Sequence, residues 1–296
     1  MAPFETRSSY ASVNGVRLHY VLSGTGPTVV LLHGFPETHR SWDLQVPTLV
    51  EAGFRTVAVD LRGYGRSDRP QTGYDLPNLA ADVAGLIAAL GTERVALVGH
   101  DWGGAITWEA ASRYPELISA AVVIDCPHPA IMARALRVNR RQLRRSWYMF
   151  FFQLPVLPER WLARRDGRQI ARMFREAPPA QATPAGEIVE AERRALLEPG
   201  ALEAALAYYR TSLRAGLRQT FGRAPLPEYA PIEAPLTLIW GERDSCLGTE
   251  LIEGSGRFAP NLRVEVVERA GHFVHQEQAE RVNGLLLAAL RSNLPA

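Results

Sequence analysis

Val95-Ala96-Leu97-Val98-Gly99-His100-Asp101-Trp102-Gly103-Gly104 decides the fold. Val95–Val98 is a continuous apolar run, the signature of a strand buried on both faces, and Gly103–Tyr114 carries helical periodicity. The junction is therefore strand, tight turn, helix. Small residues at 99, 103 and 104 let strand and helix approach closely, and a turn this tight holds its central residue, Asp101, in a strained backbone conformation. An Asp flanked by glycines at a helix start is also a common N-cap, so the hexapeptide alone leaves two readings open.

On either side the pattern repeats. Val16–Leu22 alternates and ends in Ser23-Gly24-Thr25-Gly26-Pro27, and continuous apolar runs follow at Thr28–Leu32, Thr56–Val59, Ala120–Ile124, Leu236–Trp240 and Val264–Val267. Helical segments such as Leu76–Leu90 lie between most of them. Strands alternating with helices imply an α/β protein with a mostly parallel, doubly wound sheet. From about Ala130 to about Pro225 the rhythm breaks into helical periodicity punctuated by prolines, with Ala177–Gly186 reading as a loop. The domain expectation is a core of 1–129 with 226–296, interrupted by a helical lid at 130–225 that covers the carboxyl ends of the strands.

Composition excludes several chemistries. The 296 residues carry 33 basic side chains, all of them Arg, so Schiff-base and phosphate-loop lysine mechanisms are ruled out. Cys126 and Cys246 stand alone, which speaks against zinc ribbons, iron–sulfur clusters and a disulfide framework, and fits reduced thiols in the cytoplasm. Met1–Ser9 is polar and unlike a leader, so the whole chain is expected to be the mature protein, and no run approaches the ~18–20 apolar residues of a membrane span. A net charge of +2 argues against nucleic acid as a partner. That total hides twelve Arg against only Glu159 and Asp166 between Ala130 and Arg175. A solvated helical face accounts for this, and attraction of anionic substrates is the sharper reading.

Four further loops follow strands. They are His33-Gly34-Phe35-Pro36-Glu37, Asp60-Leu61-Arg62-Gly63-Tyr64-Gly65-Arg66-Ser67, Trp240-Gly241-Glu242-Arg243-Asp244 and Ala270-Gly271-His272-Phe273. With Asp101 they place nucleophile, acid and histidine in the chain order of the α/β-hydrolase superfamily, which the sequence resembles over nearly its full length. An aspartate at the nucleophile position narrows the resemblance to the branch of epoxide hydrolases and dehalogenases. The resemblance implies an eight-stranded, mostly parallel sheet, a catalytic group of Asp101, His272 and Asp244, and an oxyanion hole from the backbone amides of Phe35 and Trp102. His275 is the rival base and Asp125 the rival acid, while His33, His100 and Arg66 are expected to hold loops.

Within the insertion, Ser146-Trp147-Tyr148-Met149-Phe150-Phe151-Phe152-Gln153-Leu154-Pro155 and Ala205-Leu206-Ala207-Tyr208-Tyr209-Arg210 resemble the two lid motifs of epoxide hydrolases. The resemblance implies that Tyr148 and Tyr209 hydrogen-bond the epoxide oxygen and protonate it on ring opening. Tyr208 is the alternate to Tyr209, and Phe150, Phe151 and Phe152 also read as core. Phe35, Pro36, Trp102, Met149, Phe152 and Phe273 are the expected substrate-binding residues. The expected substrate is a small hydrophobic epoxide, opened without cofactor or metal by a monomer or homodimer. A haloalkane or haloacid dehalogenase using the same ester, with Trp102 in a halide site, is the alternative, and a non-catalytic ligand-binding protein of this fold is a third.

Overall fold

A computed structural model describes residues 5–174, 186–222 and 227–291. Eight strands form one sheet: β1 (Thr6–Val13), β2 (Val16–Ser23), β3 (Thr28–Leu32), β4 (Arg55–Val59), β5 (Val95–His100), β6 (Ile118–Ile124), β7 (Leu236–Gly241) and β8 (Leu262–Val267). Their order across the sheet is β1-β2-β4-β3-β5-β6-β7-β8. Only β2 runs against the rest, pairing antiparallel with β1 and β4. All the later pairings are parallel.

The alternation of side chains explains the two-sided burial. Val30, Leu32, Val57, Val59 and Leu97 point to one apolar layer, and their neighbours Val29, Leu31, Ala58, Ala96 and Val98 to the other. The first layer is covered by α2 (Leu76–Ala89) and α3 (Trp102–Arg113), the second by α1 (Val46–Glu51) and, at the chain's end, by the last helix, Ala279–Arg291. Truncating one of these buried aliphatics to alanine costs about 2–5 kcal/mol.

Seven of the strands are those that hydrophobic runs predict; β1 is the addition. Its sequence, TRSSYASV, is polar because it lies at the sheet edge with most of its residues exposed, so no apolar run marks it. Between β6 and β7 the described residues form only helices: α4 (Pro129–Val138), α5 (Arg140–Arg145), α6 (Trp147–Phe151), α7 (Leu157–Met173), α8 (Gly186–Leu196) and α9 (Ala201–Thr220). The backbone of α7 leaves helical geometry at Arg164–Gly167. Of the loop expected at Ala177–Gly186, only Gly186 lies within the described residues, where it opens α8.

These helices share the first apolar layer through Met149, Phe152, Leu162, Ile170, Phe174 and Leu196, so they are packed onto the sheet's carboxyl end. Of the three phenylalanines read as core, Phe152 is fully buried while Phe150 is 43% exposed, because a helix as short as α6 turns only one side inward. Two short helices, α10 (Val274–Glu277) and α11 (Ala279–Arg291), complete the chain.

Candidate active site

Asp101 joins β5 to α3 with φ 49° and ψ −115°, a conformation that costs a non-glycine residue about 1–3 kcal/mol. It occupies the helix N-cap position but makes no capping hydrogen bond with its side chain. Instead Oδ1 accepts the Phe35 amide at 2.9 Å, and Oδ2 lies 3.7 Å from His272 Nε2. The turn is held from both sides: the Asp101 amide donates to the Ile124 carbonyl, and its own carbonyl accepts the Ala105 amide at 2.9 Å. Glycine is required nearby, since a Cβ on Gly34 would overlap the Asp101 side chain and one on Gly103 the Leu32 carbonyl.

His272, on the loop after β8, donates from Nδ1 to Asp244 Oδ2 at 2.7 Å. Asp244 is fixed in turn by the Cys246 and Leu247 amides, which donate to Oδ1 at 2.7 and 2.8 Å. Burial presses the His272 pKa down, but the Asp244 and Asp101 carboxylates outweigh it and hold the imidazole well above its ordinary value. The rival acid, Asp125, accepts the Gly241 amide on Oδ1 at 2.7 Å and has no partner on Oδ2 among the described residues. Burial, helped by the Asp244 charge, pushes its carboxyl well above the usual range. Among the described residues His272 Nδ1 bonds Asp244 and not Asp125.

His275 is fully buried and faces Glu37 at 3.3 Å rather than Asp101. Burial and the neighbouring His100 press it down to about 4. Glu37 is the residue that motif reading leaves without a role. Its Oε2 accepts the Gly34 amide at 3.0 Å and His100 Nδ1 at 2.7 Å, and Oε1 accepts the Gln276 side chain at 2.8 Å. His100 Nε2 in turn donates to the His272 carbonyl at 2.8 Å. One buried carboxylate thus ties the loop carrying Phe35 to the loop carrying His272. A glutamate in a loop otherwise made of apolar and small residues is the signal that could have marked it. His33 also holds a loop, accepting the Leu61 amide at Nε2, and Arg66 does so through its amide, which donates to Asp60.

Above Asp101 the aromatic residues converge. Tyr148 and Tyr209 have ring centroids 5.8 Å apart, and Phe152 touches both, at 5.7 and 5.1 Å. Phe35 lies 5.5 Å from Tyr209 and 5.8 Å from Phe152. The Trp102 indole stands edge-on to the Tyr209 ring at 5.1 Å. Burial raises both phenols well above their ordinary pKa, with the Asp101 charge adding to it, so both remain proton donors. Tyr208 turns the other way: its hydroxyl donates to the Arg62 carbonyl at 2.7 Å and anchors α9 to the core. Met149 is buried on α6, Pro36 is buried beside Phe35, and Phe273 packs between His272 and Phe174.

Two groups among the described residues bring three metal-type donors within 4.8 Å: His19 with His39 and Asp60, and Glu37 with His100 and His275. In the first, both imidazoles stand 2.7–2.8 Å from Asp60, which is hydrogen-bond length. Among the described residues no helix is long and apolar enough to cross a membrane.

Residues 27–279 match the α/β-hydrolase fold family. The chain is 35% identical to the AB hydrolase superfamily protein YfhM of Bacillus subtilis, over 97% of this chain and 98% of that protein. It is also 35% identical to epoxide hydrolase 4 of Mus musculus, over 94% of this chain and 77% of the relative. Among solved structures, an epoxide hydrolase variant from Bacillus megaterium in complex with its diol product superposes with a TM-score of 0.86 at 31% identity, covering 96% of this chain and 100% of that one. Epoxide hydrolase A from Mycobacterium thermoresistibile gives a TM-score of 0.82 at 29% identity, covering 99% of this chain and 100% of that one.

Proposed function

This chain belongs to the α/β-hydrolase family and, within it, to the epoxide hydrolases, and on that premise we propose that it adds water to an epoxide through an ester on Asp101. The observation that carries the reading is a strained, uncapped carboxylate whose charge reaches two buried phenols that stand together. One Asp101 oxygen attacks a ring carbon, the carbon–oxygen bond of the epoxide breaks, and the departing oxygen takes a proton from Tyr148 or Tyr209. An alkoxide is a far stronger base than a phenolate, so the transfer runs downhill even from a buried phenol.

The ester removes the Asp101 charge, one of the two that keep His272 protonated. The imidazole therefore gives up its proton, which returns the phenolate left by ring opening to a phenol. Neutral His272, oriented by Asp244, then takes a proton from water, and the hydroxide attacks the ester carbonyl carbon. The Phe35 amide, already on Asp101 Oδ1, and the Trp102 amide at the start of α3 hold the oxyanion, each such donor being worth about 10²–10³ in rate. The diol leaves with an oxygen from Asp101, and the carboxylate is restored with an oxygen from water.

Helices α4–α9 make up the lid, 130–225, on a core of 1–129 and 226–296, with the first turn of α4 opening at the last core residue, Pro129. Phe35, Pro36, Trp102, Met149, Phe152 and Phe273 wall an apolar site, so the substrate is a hydrophobic epoxide, in keeping with the naphthyloxy diol held by the Bacillus megaterium enzyme. The enzyme acts as a monomer or homodimer in the cytoplasm, with Cys126 and Cys246 as free thiols. A dehalogenase using the same ester, with Trp102 in a halide site, is the second reading, and halide release measured against diol formation separates the two. The intact Asp101–His272–Asp244 arrangement speaks against a non-catalytic ligand-binding role. A single turnover in ¹⁸O-labelled water tests the mechanism: the first diol is unlabelled and Asp101 acquires the label. Label in that first diol overturns the ester.

A further inference from the structure

We propose that the outer face of the insertion, from α5 to the start of α7, is a docking surface for bilayers rich in anionic lipid. Exposed large hydrophobic residues concentrate there. Leu143, Trp147, Phe150, Leu154, Val156 and Leu157 all stand out of the surface within fifteen residues, Trp147 being 57% exposed. The elements that carry them are joined, since the Trp147 ring packs against Phe151 at 6.0 Å and Phe151 against Trp161 at 5.6 Å, setting α6 beside the start of α7. A patch of this kind on a soluble enzyme marks an interaction site.

Charge identifies the occupant. Arg140, Arg141 and Arg144 precede the apolar patch and Arg160, Arg164 and Arg165 follow it, all exposed. The two acids of the stretch are taken by other helices: Glu159 pairs with Arg210 of α9 at 2.7 Å, and Asp166 with Arg193 of α8 at 2.7 Å. Among the described residues no carboxylate pairs with any of the six flanking arginines. A second copy of this face would oppose like charge to like, whereas anionic headgroups complement it. Trp and Phe between arginines suit the depth of an interface, where rings enter the acyl boundary and guanidinium groups stay among phosphates. The short helices put the attachment at the surface, and among the described residues no helix is long and apolar enough to cross a membrane. The docking does not depend on the proposed reaction; that a docked enzyme would meet apolar epoxides dissolved in the bilayer does.

Co-sedimentation of the full chain with vesicles, without substrate, tests it. Phosphatidylcholine vesicles containing phosphatidylglycerol should bind the protein at low salt at least about ten-fold better than phosphatidylcholine alone, the advantage disappearing in 1 M salt, where charges are screened beyond about 3 Å. Combined Arg140→Glu, Arg141→Glu and Arg144→Glu should weaken binding by about a hundred-fold, and Trp147→Ser with Phe150→Ser by about ten-fold. Both variants alter exposed side chains and should melt at the parent temperature. Equal partition onto the two vesicle types, no partition at low salt, or undiminished binding by the arginine variant overturns the proposal. So does competition by polyglutamate as effective as that by phosphatidylglycerol vesicles, or a dimer in sedimentation velocity that Trp147→Ser with Phe150→Ser dissolves.

Discussion

The molecule contains two histidine–carboxylate clusters that share a loop and differ in arithmetic. In the upper one a single imidazole, His272, stands between two carboxylates, Asp101 and Asp244. In the lower one a single carboxylate, Glu37, stands between two imidazoles, His100 and His275. The same residue types come out opposite. His272 is held well above its ordinary pKa, whereas His275 is pressed down to about 4. Both imidazoles of the lower cluster face the same carboxylate, His100 at 2.7 Å and His275 at 3.3 Å. Burial acts the same way on both clusters, and the count of negative charges within reach decides which imidazole holds a proton. A covalent step that erases one charge can therefore switch the upper cluster and leave the lower one unchanged.

The largest effect expected is from Asp101→Asn, which should cut diol formation by at least about 10⁴-fold and, in an NMR titration, lower the His272 pKa. An unmoved His272 would break the charge-counting account. His272→Gln should stop the cycle after the first half, so mass spectrometry of the intact protein finds the epoxide added to it, with turnover down by a similar factor. An unmodified variant would mean that His272 acts before the ester. Tyr148→Phe combined with Tyr209→Phe should lower kcat by about 10²–10⁴ and abolish adduct formation, which His272→Gln does not.

The lower cluster should answer in stability. The folded pKa of His275, about 4, lies below the 6.5 of an unperturbed imidazole. The unfolded chain therefore binds more protons between those values, and stability present above pH 6.5 is lost as pH falls toward 4. The loss is at most about 3 kcal/mol from this group. His275→Gln should flatten that part of a denaturation curve measured against pH, and an unchanged slope would sink the assignment. Glu37→Gln should cost about 1–3 kcal/mol of stability while still forming the ester, because it loosens two loops without removing a reacting group. A loss of activity as deep as that of Asp101→Asn would erase the distinction between the clusters.

Much of this was legible in one dimension. Hydrophobic patterning marks seven strands, continuous at the central strands buried on both faces and alternating at β2, while β1 escapes because an edge strand with one wet face reads as polar sequence. Asp101, His272, Tyr148 and Tyr209 stand at fixed offsets from strands and in motifs, so their meeting could be anticipated. The choice between Asp244 and Asp125 could not, since both follow a strand and only distance shows which carboxylate faces His272. The same holds for Tyr208 against Tyr209, adjacent on one helix and turned to opposite tasks.

By itself the sequence determined the α/β sheet, the helical insertion and the supply of reactive groups, because strand burial and turn chemistry are local. Tertiary structure alone decided how charges are shared. Glu37, His100 and His275 are scattered along the chain, and the pKa of each buried group is set by which others the fold brings within a few ångströms. The exposed face of the insertion belongs to the same class. Arg and aromatic residues alternating in a helical stretch can be a covered face or an open one, and only packing shows that here Trp147 and Phe150 stand outside and that, among the described residues, Arg140, Arg141, Arg144, Arg160, Arg164 and Arg165 pair with no carboxylate.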